Sequence, residues 1–253
     1  MRLAVRIPLS YGFGMKIAIT DERISEKCER GLMLRGFRVL KMPRYPSLSA
    51  PMAAHPDMVM FTHKKRIITT ADYCEIADFT FFELSSMVGG VSFTVTADRV
   101  RGEYPYDCIF NALVIGDRIF LKADTASRAV VEYARREGLK VVPVKQGYPA
   151  CTTLALGDRA AVTADRGMAE ALRGEGLDVT LIEDGGIILP PYEYGFIGGA
   201  SGNYGKTVYF LGDVHTHPSA DRIIRAAEAA GFSCESLSDE PLSDLGGIVF
   251  YEG

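Results

Sequence analysis

The sequence contains no tryptophan, four histidines and five cysteines. It has no apolar run of about 20 residues, the length that a membrane-spanning helix needs, and Met1–Pro8 is too short and too charged for a secretory signal. The cysteines lack the paired spacing that would indicate disulfides. We therefore expect reduced thiols, a cytoplasmic protein and no membrane partner.

An excess of positive charge is also missing, because the formal net charge is −4. Nucleic-acid binding usually requires a basic surface, so no nucleic-acid partner is expected. Hydrophobic residues make up 47% and charged residues 24%, which is enough apolar material for a sizeable core. No linker-like segment divides the chain, and this favours a single domain over residues 1–253.

What the sequence does contain is a recurring supersecondary unit, in which a polar entry precedes a strand, a tight turn, a second strand, a helix and a third strand. Two copies are clearest, at Tyr104–Gly147 and Tyr148–Gly185. Weaker copies lie at His55–Tyr73 and Gly195–Leu237, and Met15–Pro43 lacks only the opening strand. Because a repeated unit cannot bury its apolar face alone, neighbouring copies must pack against one another.

The final segment, Asp244–Gly253, has the pattern of the missing strand. We therefore predict an α/β fold, a five-fold pseudo-symmetric α/β propeller of ββαβ repeats around a central channel, in which the N- and C-terminal segments share one unit. Closure of this kind removes the exposed edges of an open sheet. The alternative is an open α/β sandwich, which the matching turns in successive units disfavour.

Polar residues precede the first strand of each unit, so this fold would gather them at one end of the channel. Their side chains are the default candidates for a ligand site. The alternative is that the Tyr-Pro and Asp residues only make turns between units. The predicted ligand-binding residues are His55, Asp57, Asp107, Tyr148, Gly198, Gly199, Ser201, Asp239 and Asp244.

The five-unit layout and five short segments carry two resemblances; the segments, which carry the closer one, to a domain family, are His55–Asp57, Tyr104–Asp107, Lys145–Tyr148, Tyr194–Gly199 and Leu237–Glu240. The five-unit layout resembles the fold of the guanidino-group modifying enzymes, the pentein fold of arginine deiminases, amidinotransferases and dimethylarginine dimethylaminohydrolase. Over nearly its full length, the sequence is also similar to a bacterial domain family of unknown function that has this fold.

The resemblance implies a cysteine nucleophile near the C-terminus, a histidine that moves protons, and carboxylates that hold the guanidinium group. Asp57 and Asp107 match the acids. Pro149 stands where the enzymes have their histidine, and Asp244–Ile248 stands where they have their cysteine. We therefore predict a non-catalytic or catalytically lapsed protein that binds a small polar or cationic ligand, guanidino- or amine-like, without a cofactor.

One alternative keeps catalysis. Cys151 lies two residues after Pro149, so strand alternation would point its side chain into the channel. With His55 and Asp107 it would form a triad for a hydrolase or amidinotransferase that acts on a guanidino or amidino C–N bond. Such a cysteine should be alkylated before the others. Against this, a lone cysteine in a strand is usually a buried apolar side chain.

Protein partners and metal ions are two further classes of ligand to weigh. The layout also resembles the initiation factor that keeps ribosomal subunits apart. A protein-binding module is therefore a further hypothesis. The sequence does not decide the oligomeric state. His215 and His217 have the spacing of metal ligands, but no third ligand lies nearby in the sequence. We therefore expect no metal site.

Overall fold

The computed structural model describes residues 14–253, so Met1–Pro8 lies outside the described part of the chain. Its strands form five three-stranded sheets and one two-stranded sheet. In each three-stranded sheet, the middle strand pairs antiparallel with one neighbour and parallel with the other. The five three-stranded sheets therefore share one pattern of strand directions, in a mixed α/β fold.

The elements follow the chain unit by unit. The first unit holds β1 (Lys16–Asp21), α1 (Glu26–Leu34) and β2 (Phe37–Met42). The second holds α2 (Pro56–Val59), β3 (Met60–His63), β4 (Arg66–Thr70), α3 (Ala71–Ile76), α4 (Asp78–Met87) and β5 (Ser92–Thr96). The third holds β6 (Leu113–Ile115), β7 (Arg118–Leu121), α5 (Arg128–Arg136) and β8 (Lys140–Pro143).

The fourth unit holds α6 (Pro149–Thr152), β9 (Thr153–Leu156), β10 (Ala160–Thr163), α7 (Arg166–Gly174) and β11 (Asp178–Leu181). The short strand β12 (Ile187–Ile188) precedes the fifth unit, which holds β13 (Ser201–Tyr204), β14 (Thr207–Phe210), α8 (Ala220–Ala229) and β15 (Ser233–Ser236). The chain ends with β16 (Leu242–Ser243), which pairs with β12, and β17 (Val249–Glu252).

The C-terminal strand completes the first unit. β17 pairs antiparallel with β1, placing Lys16 opposite Glu252 and Ile19 opposite Val249. β17 therefore lies in the same sheet as β1 and β2. Tyr251 of β17 is 4% exposed and belongs to the same core cluster as Ile17 of β1.

The tight turns between the first and second strands share one backbone feature. Gly116, Gly157 and Gly205 have φ angles of 60°, 69° and 60°. Lys64 takes the same place in the second unit with a φ of 54°. These loops have two residues in the second, third and fifth units and three in the fourth. Short hairpin loops need a positive φ, which glycine adopts without a steric cost. The repeated turn in the sequence therefore reflects a repeated backbone geometry.

The helices pack on the strands through residues spaced three and four apart. In α5 the buried residues include Val130 and Tyr133, and in α7 they include Met168 and Leu172. This spacing places them on one face, which contacts β8 in the third unit and β10 and β11 in the fourth. Among residues 14–253, no helix is long and apolar enough to cross a membrane.

The polar entries of the second and fourth units are single helical turns, not the beginnings of strands. α2 begins at Pro56 and α6 at Pro149, and the first turn tolerates proline because its missing N–H has no helical partner there. Cys151 lies inside α6. The prediction that strand alternation orients Cys151 is therefore wrong, and the helical turn that leads into β9 orients it.

Candidate functional site

A cavity of about 350 Å³ has reactive side chains at its inner end. His55, Cys151 and Asp244 line it and are 1%, 4% and 1% exposed, so they form its floor. The walls come from the loop after β2, from Tyr148 directly before α6 and from the segment after β12. They are formed by Met52, Tyr148, Leu189, Tyr192, Glu193, Tyr194 and Phe196.

Cys151 is held by two polar side chains. Its thiol donates to Asp57 Oδ2 at 2.6 Å and accepts from Asn111 Nδ2 at 3.3 Å. The Asn111 Oδ1 atom accepts from the Ala150 N–H at 2.8 Å. Asn111 therefore holds both the backbone of α6 and the sulfur of Cys151. The sequence did not indicate this role, because Asn111 appears there only as one amide in an apolar run before β6.

His55 lies between two buried aspartates. Its Nε2 atom is 3.9 Å from Asp21 Oδ2, and its Nδ1 atom is 3.9 Å from Asp244 Oδ1. Both ring nitrogens are buried and have no hydrogen-bond partner among the described residues. One donor atom each from His55, Asp57 and Cys151 lies within 4.8 Å of the others. The imidazole is therefore close to the thiol without a hydrogen bond between them.

Asp244 is fixed by backbone groups and by close glycines. Its carboxylate accepts from the N–H of Phe196 at 2.9 Å and from the N–H of Gly246 at 3.1 Å. A Cβ atom on Gly199 would lie 1.9 Å from Asp244 Oδ1, and one on Gly195 would lie 2.4 Å from Asp244 Cβ. These two glycines are therefore required for the chain to approach the carboxylate.

Arg23 neutralises one of the aspartates. Its backbone N–H and its Nε donate to Asp21 Oδ1 at 2.7 and 2.9 Å. Its Nη2 donates to the carbonyl of Pro51 at 2.6 Å, in the same loop as Met52. Arg23 thus links the end of β1 to the loop that forms one wall of the cavity.

Burial perturbs the ionisation of the floor. It raises the pKa of Asp57 to about 8 and also raises the pKa of Asp244. Burial, followed by the charge of Asp57, raises the pKa of the Cys151 thiol well above its ordinary value. Burial lowers the pKa of His55. Without a ligand, the floor therefore favours a protonated thiol and a neutral imidazole near neutral pH.

The structure brings together five predicted site residues: His55, Asp57, Tyr148, Cys151 and Asp244. Of these, His55, Tyr148, Cys151 and Asp244 line the cavity, and Asp57 lies behind Cys151. This arrangement joins the polar entries of the second and fourth units with Asp244, which follows β16.

Asp107 does not complete the predicted triad with Cys151 and His55. Its carboxylate accepts from the Tyr148 hydroxyl at 2.7 Å and does not line the cavity. The acids that flank His55 are Asp21 and Asp244 instead. The reason is geometric, since the Asp107 side chain faces Tyr148 of the next entry along the chain.

Three other predicted residues also lie away from the floor. Asp239 is exposed and pairs with Lys27 at 2.8 Å, so it belongs to the surface. Gly198 and Ser201 line a separate cavity of about 200 Å³. A Cβ on Gly198 would lie 2.1 Å from the carbonyl oxygen of Ala150, so this glycine permits close backbone packing behind α6.

The histidine pair does not assemble a metal site. His215 lies in a short 3-10 turn, and His217 Nδ1 accepts from the Ser219 N–H at 2.9 Å. Within residues 14–253, the group of three side chains that could hold a metal is His55, Asp57 and Cys151. Nitrogen, oxygen and sulfur are donors that zinc accepts.

Comparison with solved structures gives two informative matches. One is dimethylarginine dimethylaminohydrolase from Pseudomonas aeruginosa, a mutant complexed with citrulline, at 12% identity and a TM-score of 0.55, covering 90% of this chain and 92% of that one. The other is inosamine-phosphate amidinotransferase from Streptomyces griseus, at 14% identity and a TM-score of 0.50, covering 92% and 88%. At such identities the likeness shows the fold alone, and it confirms the predicted resemblance.

Sequence comparisons identify the family but no activity. The curated proteins give no match. The model of DUF6873, described as a family of unknown function, matches residues 19–249. The predicted similarity to a domain family of unknown function is thereby confirmed, and the chain belongs to the DUF6873 family.

Proposed function

We propose that the cavity binds a small planar cation of the guanidinium or amidinium type. The observation that carries this proposal is the group of unpartnered polar atoms at a buried floor. Both ring nitrogens of His55 at the floor are buried without a hydrogen-bond partner among the described residues, and so is Asp57 Oδ1 behind Cys151. Buried polar atoms are usually satisfied, and those that are not call for a ligand or another specific explanation.

A planar cation supplies what the floor lacks. Its N–H groups donate in pairs to carboxylates, and Asp244 supplies a carboxylate at the floor, with Asp57 behind Cys151. Its charge also compensates the cost of ionising carboxylates in a buried place. Neutral His55 accepts one further N–H. Above the floor, the Tyr148 and Phe196 rings line the cavity, and aromatic faces attract cations.

Calorimetric titration with methylguanidine, acetamidine and butylamine tests this proposal. Binding of the planar cations is expected, and Asp57→Asn should weaken it by at least about tenfold, because the carboxyl behind Cys151 can then no longer ionise close to the bound cation. Asp239→Asn is the matched control, since that carboxylate is exposed and outside the cavity. Equal affinities for Asp57→Asn and Asp239→Asn, or no binding by any cation, would contradict the proposal.

A second candidate function is covalent catalysis by Cys151, favoured by the 2.6 Å hydrogen bond to Asp57 and by a His55 nitrogen within 4.8 Å of the sulfur. The thiol proton passes to Asp57, and the sulfur forms a bond to the amidinium carbon. The C–N bond then breaks, and the departing amine takes that proton through His55. Water attacks the sulfur-bound carbon, the C–S bond breaks, and the thiol regains a proton.

Amine release measured over time tests the second candidate, together with the intact mass of the protein. Turnover and a covalent adduct are expected for the wild type and for Cys74→Ser, whose cysteine is partly exposed and away from the cavity. Cys151→Ser should abolish both. If cations bind but neither amine nor adduct forms, the catalytic candidate is wrong and the binding proposal stands.

We also propose that the chain forms a single domain whose five sheets surround a central channel. The support is the cavity of about 200 Å³, which residues of β3, β6, β13 and β17 line together with Ala150 of α6. β13 also contacts β9 and β17. An experimental structure in which these strands form an open sheet would overturn this arrangement.

A further inference from the structure

The cavity contains no positive group to receive an anion. Of its ten lining residues, all within the described part of the chain, none is lysine or arginine. Arg23, whose charge reaches Asp244, already donates to the Asp21 carboxylate and to the carbonyl of Pro51. A ligand carboxylate would therefore lose its hydration without gaining a charged partner, which is costly.

Acidic residues line the cavity both at its buried floor and at its exposed mouth. Asp244 lies at the floor with 1% exposure, whereas Glu193 also lines the cavity but is exposed. The charge of Asp184 raises the pKa of Tyr194, followed by burial and then by the charges of Glu193 and Asp165. The outer wall thus carries a negative potential of its own, separate from the floor.

The remaining wall of the cavity is largely apolar. Met52, Leu189 and Phe196 line it together with the rings of Tyr148 and Tyr194. Such a wall suits an alkyl chain, because burying its methylene groups removes apolar surface from water. The lining therefore combines a buried acid, an exposed acid and apolar side chains of intermediate or low exposure.

We infer that the ligand is a dication without a carboxylate: a guanidinium or amidinium head at His55 and Asp244, an alkyl spacer, and an ammonium group beside Glu193. This rests on the proposed function, since the head group occupies the same floor. An α-amino acid of the same length is disfavoured, because its carboxylate would face Glu193 at the mouth.

Three probes of matched length separate these requirements: 4-guanidinobutylamine, butylguanidine and arginine, titrated calorimetrically into the full-length protein at low salt. We expect 4-guanidinobutylamine to bind about two- to fivefold more tightly than butylguanidine, as expected for a partly exposed ion pair. Arginine should bind most weakly. Added salt should reduce the difference in affinity between 4-guanidinobutylamine and butylguanidine, because ions in the solvent screen an exposed charge such as that of Glu193.

Glu193→Gln supplies the residue test, and Glu170→Gln is its control because Glu170 is exposed on α7 and outside the cavity. Glu193→Gln should make 4-guanidinobutylamine and butylguanidine bind equally, whereas Glu170→Gln should keep their difference. Unfolding curves establish that both variants are folded.

The outcomes distinguish this inference from the proposed function. If butylguanidine binds but arginine binds as tightly as 4-guanidinobutylamine, the dication is wrong and the cation site stands. The dication is equally wrong if Glu193→Gln leaves the affinity ratio of the two probes unchanged. If none of the three probes binds, the proposed function is overturned together with this inference.

Discussion

At the floor of the cavity, burial keeps the Asp57 carboxyl protonated up to a pKa of about 8, compared with an ordinary value of 3.8. Between these values the folded protein binds more protons at this site than the unfolded chain. The free energy of unfolding therefore falls as pH rises, by up to about 1.4 kcal/mol per pH unit from this group.

The prediction is that Asp57→Asn removes that part of the pH dependence. Urea unfolding between pH 6.5 and 8 measures it, because the pKa of His55 is lowered from its ordinary 6.5 and the imidazole stays neutral there. The pKa values of Asp244 and Asp107 are also raised, but both groups remain in the variant. Parallel slopes for the wild type and Asp57→Asn would show that Asp57 ionises normally.

The Cys151 thiol leads to a second prediction at the residue scale, on its reactivity. Its raised pKa and 4% exposure reverse the sequence-based expectation of preferential alkylation, at least for the ligand-free protein. We expect iodoacetamide at pH 7.5 to label Cys151 more slowly than the partly exposed Cys74. Peptide mass spectrometry over a time course measures both rates. Faster labelling of Cys151 would mean that the thiolate is stabilised by something other than the described contacts.

At the scale of the elements, the segment between β12 and β13 shapes the site through glycine. Gly199→Ala would place a Cβ atom 1.9 Å from Asp244 Oδ1, so the carboxylate must move. We expect a stability loss of about 1–3 kcal/mol, typical of overpacking, and at least a tenfold loss of cation affinity. Gly174→Ala is the control, since it ends α7 with open space around it and should change stability by no more than about 1 kcal/mol. Wild-type affinity in Gly199→Ala would refute the role of Asp244.

The sequence predicts these elements better than it predicts their contacts. The prolines that begin α2 and α6 indicate helical turns in the sequence itself. The prediction that placed Cys151 in a strand did not take this into account. The pairing of Asp107 with Tyr148 joins residues 41 positions apart, which no local pattern reports. Asn111 was missed for a related reason, because its role comes from contacts with α6 and not from its own segment.

At the scale of the whole molecule, the repeat determined what could be predicted. Equivalent turns and helices recur in successive units, so the strand order of each sheet follows from one pattern. The pattern also showed that β1 needs a partner, which β17 supplies. The repeat does not determine the residues in which the units differ. The site depends on those residues, since His55, Cys151 and Asp244 occupy different positions relative to their neighbouring strands.

Pairing of β17 with β1 in one sheet should make β17 as stable as the core. β17 pairs with β1 along four residues and buries Tyr251, so it should not open separately from β1. We expect the amide hydrogens of β17 and β1 to exchange with deuterium only when the whole protein unfolds. The free energy of opening measured from exchange should then be the same for both strands. Rapid exchange in β17 beside protected amides in β1 would contradict this joining.

Substitution of Tyr251 tests the same connection energetically. Tyr251→Ala removes a large buried ring and should lower the free energy of unfolding by about 3–5 kcal/mol. Tyr251→Phe should be close to neutral, because the hydroxyl is buried without a hydrogen-bond partner among the described residues. Urea unfolding followed by both far-ultraviolet circular dichroism and tyrosine fluorescence measures the two variants. If circular dichroism and fluorescence report different urea midpoints for Tyr251→Ala, β17 stabilises only its own sheet. If the two transitions coincide at a lower urea concentration than in the wild type, β17 stabilises the whole chain.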